Sequence, residues 1–193
     1  MLVEIGAKTH NFTDPTGLLS DCHRRIEMFM GTLKAVAAVI DRPPGEDTVR
    51  ALESALRYFG EAAPKHTADE EVSLFPRLRQ MGLPEIDSAF AELEHLEDEH
   101  RWAAPFHADV ERLGVQYLSM GKLSDVEIEQ FQAAVTSLEV MYKRHISIED
   151  ELVFPLAARM LSGAEKSAIA EEMASRRRVK VVPEPIVART GAV

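Results

Sequence analysis

A single cysteine, Cys22, in 193 residues leaves no partner for an intramolecular disulfide. It also supplies too few thiolates for a zinc or iron–sulfur site built within one chain. Cytoplasm is the simplest compartment for such a chain. Long apolar runs are missing: nothing approaches the about 18 residues that cross a bilayer, so no membrane contact is expected. The opening M-L-V-E-I-G-A-K-T-H lacks the basic-then-apolar order of a secretory signal. Basic residues are in deficit, 22 Lys and Arg against 32 Asp and Glu, for a formal net charge of -10; this argues against nucleic acid as a partner. Strand signals are absent too, with no alternating β-branched run ending in a hairpin dipeptide. Yet 46% of the residues are hydrophobic, enough for a folded core.

What remains is helical periodicity. Asp14-Pro15 reads as a cap and first turn, opening a helix that runs to about Ile40, where D-R-P-P-G-E-D breaks it. A second helix covers about Thr48 to Met81, kinked at Pro64. A third opens at Pro84 and reaches about Leu118, kinked at Pro105. Ser124 and Glu127 form a capping box for a fourth that ends near Leu161 and is disturbed at Pro155. The expected fold class is all-α: an antiparallel four-helix bundle over residues 1–162. Residues 163–193 follow as a short extra C-terminal helix (about Ala164 to Ser175) and a mobile tail. The R-R-R-V-K stretch is expected to be solvated surface.

The inward stripes carry the chemistry. Helix one gives Leu19, His23, Ile26, Met30, Leu33, Ala37, Ile40; helix two gives Leu52, Leu56, Phe59, Ala63, His66, Glu70, Ser73. Helix three gives Ile86, Phe90, Leu93, Glu97, His100, Ala104, His107; helix four gives Phe131, Val135, Leu138, Tyr142, His145, Glu149, Leu152, Leu156. One histidine on a core face is ordinary. Four of them with two glutamates on converging stripes are costly to bury unless a cation gives each a partner. H66-T-A-D-E-E-V-S-L-F-P and H145-I-S-I-E-D-E-L-V-F-P form a pseudo-repeat: His at one, Glu at five, an acid at six, F-P at ten and eleven. The i, i+4 spacing puts each His and Glu on one face. Imidazole and carboxylate without thiolate suit iron, manganese or zinc. Two carboxylates and four histidines exceed one tetrahedral zinc and match two metals bridged by the carboxylates.

These residues resemble a hemerythrin-like, or HHE cation-binding, domain across residues 10–160. The resemblance rests on His23, the two eleven-residue blocks and the E-H of helix three. It implies an up-down-up-down bundle holding two non-haem, carboxylate-bridged iron ions, with Mn or Zn as substitutes. Its members bind or react with oxygen, peroxide or nitric oxide, or handle iron. It transfers the ligand role to His23, His66, Glu70, His145 and Glu149. Helix three offers His95 and His100; His100 lies on the stripe and is chosen, with His95 at the surface. Asp150 meets an H-x-x-x-x-D spacing from His145 and stands as an alternative to Glu149, which symmetry with Glu70 favours. The H-x-x-x-H of the oxygen-carrier branch is absent from helix three. Glu97 is a further ligand or second acceptor by position, and His107 lines the bundle end. Cys22 is a packing residue, and Tyr142 is the best placed acid. Phe59, Met30 and Leu138 are the expected pocket wall. The expected partner is a small diatomic ligand or peroxide, for a carrier, sensor or scavenger. The alternative is an iron-handling protein, for storage or iron-centre repair, or a structural metal-binding interaction bundle. No output domain or N-terminal cysteine pair accompanies the bundle, which lowers the sensor and repair readings. The redox partner is not legible.

Overall fold

A computed structural model describes residues 10–82 and 84–179. Four rods form the bundle. The first is α1 (Pro15–Ala37). The second is the series α2 (Glu46–Glu61), α3 (Ala63–Ala68), a π-helical turn (Asp69–Leu74) and α4 (Phe75–Gln80). The third is α5 (Pro84–Met120), which stays helical through Pro105. The fourth is α6 (Asp125–Ile148), a second π-helical turn (Glu149–Val153) and α7 (Phe154–Met160); α8 (Gly163–Arg176) follows. No strand occurs among the described residues. Pairs such as Lys34–Glu139 and His23–Asp150, or Gln116–Glu127 and Glu99–His145, run in opposite order along neighbouring rods. The packing is therefore antiparallel, each rod lying beside the next in an up-down-up-down circuit. The Asp14 carboxylate accepts the Gly17 N–H at 3.0 Å, and the Ser124–Glu127 capping box forms. A second box, Ser162–Glu165, starts α8; the sequence reading did not name it.

The two F-P dipeptides explain the π turns. Proline has no N–H and its ring crowds the carbonyl four residues back, here Val72 for Pro76 and Glu151 for Pro155. The helix opens by one residue instead: the Phe75 and Phe154 N–H groups donate five residues back, to the Glu70 and Glu149 carbonyls. The extra residue shifts the register. Leu152, placed inward by an unbroken seam, is 41% exposed, and Val153 takes its place at 1%. The α5 stripe also turns by one position: Leu96 and Ala103 are buried, while Ala104 is exposed and Glu97 half-buried. The Ile86 and Phe90 side chains and the expected tail over residues 180–193 lie outside the described residues.

The core has two apolar clusters, one around Ile26, Met30, Leu113, Phe131 and Leu138, the other around Leu19, Phe75, Leu93, Phe154 and Met173. The histidine and glutamate layer lies between them. Helix α8 belongs to the second cluster through Ile169 and Met173. Part of the basic R-R-R-V-K stretch is not solvated surface, a correction to the sequence expectation. Arg176 Nη1 lies 2.8 Å and Arg177 Nη2 2.6 Å from the carboxylate of Asp69, which is fully buried in the first π turn. Burial of an aspartate at that point requires a cation, and α8 delivers two. Removing both in Arg176→Ala/Arg177→Ala is expected to cost about 3–5 kcal/mol, the range for a stranded buried charge. Urea denaturation checks this, and the same pair of changes in an Asp69→Asn background should cost markedly less.

Candidate metal centre

His66 and Glu70 stand one turn apart, with Nε2 2.9 Å from Oε1. His145 and Glu149 repeat the arrangement at 3.3 Å. From α1, His23 Nε2 reaches to 3.0 Å from Glu149 and 3.9 Å from Glu70. From α5, His100 Nε2 comes within 3.7 Å of the other Glu70 oxygen. All six side chains named from the sequence meet here. They fall into two groups, His23, His66, Glu70, Glu149 and Glu70, His100, His145, each with its donor atoms within 4.8 Å of one another. Glu70 is common to both.

The acid at position six of each repeat acquires a role. Asp150 Oδ1 lies 2.9 Å from His23 Nδ1, and Glu71 Oε1 lies 2.8 Å from His100 Nδ1. Each repeat thus presents a glutamate to the centre and uses the next residue to fix a histidine of a neighbouring helix. Asp150, weighed above as an alternative ligand, faces the outer nitrogen of His23, while Glu149 faces the centre. Glu99, before His100, completes the pattern at 3.1 Å from His145 Nδ1. Such carboxylates set ring orientation and tautomer at a metal site. The residue in the corresponding place before His23 is Cys22, and it stands beside His66. It is therefore more than packing: its Sγ also takes an N–H of Arg25 at 3.2 Å.

Burial opposes charge throughout this layer, and the partners overcome it. Burial disfavours the Glu70 carboxylate, yet His66, His23 and His100 hold it well below the usual range. Glu149 is lowered too, against burial and the repulsion of Glu70, by His145 and His23. Burial works against a charged His66, but Glu70 lifts it to about 10. His145 is lifted against burial to about 9 by Glu149 and Glu99. His23 rises well above its ordinary value through Asp150, Glu149 and Glu70, again against burial. Despite these short approaches, His23 Nε2, His145 Nε2 and all four oxygens of Glu70 and Glu149 are buried without a hydrogen bond. The outer nitrogens of His23, His100 and His145 are satisfied and these six inward atoms are not; His66 departs from the pattern, its outer Nδ1 also lacking a hydrogen bond. That polarity fits a bound cation.

The other expectations fare differently. His95 lies outside both groups, half-exposed against Glu99 at 3.0 Å. Glu97 pairs with Arg79 at 2.8 Å and not with the centre. His107 accepts or donates at 2.9 Å to the Tyr142 hydroxyl, and burial lowers its pKa to about 4. The wall nearest the centre is Ile26, Ala63, Thr67, Tyr142 and Ile146; Phe59 and Met30 line outer pockets instead. Phe154 stacks on His23 with centroids 5.1 Å apart, so the F-P of the second repeat closes the centre as well as widening the helix.

A four-helix bundle with inward histidines and shared carboxylates defines a class of non-haem cation-binding proteins. The chain belongs to the Hemerythrin HHE cation binding domain family, whose model matches residues 14–157. An uncharacterized protein of Haemophilus influenzae is 26% identical over 172 residues, covering 88% of this chain and 93% of that one. No solved structure matches the chain.

Proposed function

We propose that the centre holds two non-haem iron ions, with Mn or Zn as substitutes, and that this cytoplasmic protein binds or reacts with oxygen, nitric oxide or peroxide. The carrying observation is the division of six inward donors into two groups that share Glu70. His23, His66 and Glu149 are the remaining ligands of one position, His100 and His145 of the other. Iron there supplies redox chemistry toward small oxygen and nitrogen ligands. The chain supplies the rest. Asp150, Glu71 and Glu99 hold three imidazoles in one orientation, and Ile26, Ala63 and Ile146 wall the donors with apolar surface. In the described residues no helix is long and apolar enough to cross a membrane.

Anaerobic Fe(II) loading, elemental analysis and optical spectra on adding oxygen, peroxide or nitric oxide test the proposal. Two ions per chain and a spectral response to at least one ligand are expected. Full loading at one ion contradicts the two-ion centre. Retained metal with no response to any of the three favours storage or a structural role.

A further inference from the structure

Between α3 and α5 lies a pocket of about 430 Å³. The space at the centre itself is about 10 Å³, the room of roughly one water. The two share part of their walls: Ala63, Thr67, His100 and Tyr142 line both. Tyr142 is thus a partition, one side toward the histidines and the other toward the outer pocket. Its hydroxyl is tied at 2.9 Å to His107, and Phe59 packs on both rings, with centroids 6.1 Å from Tyr142 and 5.2 Å from His107. The outer wall is largely apolar, with Ala104 and Ala108 exposed along α5 and the exposed Glu111 one turn further on. An apolar wall with a carboxylate beside it admits small uncharged molecules and resists anions.

Resting on the metal reading above, we infer that this pocket is the route by which small uncharged ligands, of the size of nitric oxide or hydrogen peroxide, reach the centre. The Tyr142 ring, latched by His107, is its gate. A rival route exists on the other side of Tyr142, a pocket of about 320 Å³ lined by Glu27, Met30, Gly31 and Lys143. It shares Tyr142 and Ile146 with the centre.

Plugs distinguish the routes. Ala104→Trp and Ala108→Trp fill the first mouth from exposed positions. Gly31→Trp fills the second, where an added Cβ meets nothing within 4 Å. Stopped-flow binding of nitric oxide to the iron(II)-loaded protein, with iron content measured for each variant, is the readout. A plug in the true route slows association and dissociation together, on the order of tenfold, and leaves Kd unchanged. That is expected for the α5 plugs and not for Gly31→Trp. Tyr142→Phe keeps the ring and removes the latch, so both rate constants should rise, again with Kd unchanged. Inert α5 plugs, slowing by Gly31→Trp instead, or slower binding in Tyr142→Phe overturns the inference while leaving the metal reading intact. Wild-type protein that retains no iron overturns both.

Discussion

Glu70→Ala is expected to empty the centre, whereas Glu149→Ala is expected to leave about half of its metal. The difference follows from membership. Glu70 belongs to both donor groups, and Glu149 to the group of His23 and His66. Removing Glu149 leaves Glu70, His100 and His145 in place, although His145 loses the carboxylate 3.3 Å from its Nε2. Removing Glu70 takes a donor from both positions and leaves the group of His100 and His145 without its carboxylate. Stability should report the same contrast. A ligand held only by the native state at about a thousandfold over its Kd adds about 4 kcal/mol, or roughly 8–16 °C in Tm for a chain of this size. Metal should therefore raise the melting temperature of the wild-type chain by that order, of Glu149→Ala by less, and of Glu70→Ala hardly at all. Elemental analysis and thermal melts on the same samples check both readings. Equal loss in the two variants would contradict the sharing of Glu70.

Metal loading at pH 7 is expected to release about three protons per chain. In the metal-free protein the pKa values of His66 and His145 are raised to about 10 and about 9, and that of His23 is raised as well. All three are charged at neutral pH, while ligation requires neutral rings. Affinity should then climb from pH 6 to pH 9. Titration calorimetry in buffers of different ionisation heat counts the protons. Release of none means the rings are already neutral and the ion pairs with Glu70 and Glu149 do not form. The sign for stability is opposite at the two ends. A histidine raised on folding stabilises fully below about pH 6.5 and loses this as pH rises through 9 to 10. A glutamate lowered on folding stabilises above about pH 4.5 and loses this as pH falls. The metal-free protein should be most resistant to urea between those limits. The loaded protein should keep its stability into the alkaline range, because the cation replaces the protons.

The bundle, the helix order and the six inward donors were legible because all are periodic: each donor falls on a stripe whose other members are mostly apolar, Ser73, Glu97 and His107 being the exceptions. His107, also on a stripe, shows the limit of that rule, since its partner Tyr142 is set by the meeting of α5 and α6. The π turns were half legible. F-P was visible in both repeats, but a proline signals that an α-helix is disturbed, not that the chain answers by widening one turn. Val153 therefore displaced Leu152 from the inward face. The acid at position six was seen, Asp150 only as an alternative ligand and Glu71 with no task, because the two act on histidines 127 and 29 residues away. Asp69 and its two arginines escaped for the same reason, 107 residues separating Asp69 from Arg176. Local pattern says which way a side chain points, and only the packed rods say what it meets.

The polar layer cuts the hydrophobic interior in two. Apolar cores fold as one because every contact supports its neighbours, and a slab of six ionisable groups interrupts that mutual support. With protons as the only mediators, the half containing α8 and the half containing the α5–α6 loop are joined through charge pairs and four helical backbones. A cation held by the proposed ligands would replace that seam with coordinate bonds from all four rods. Loading therefore changes the size of the cooperative unit: two regions able to open separately become one that opens as a whole.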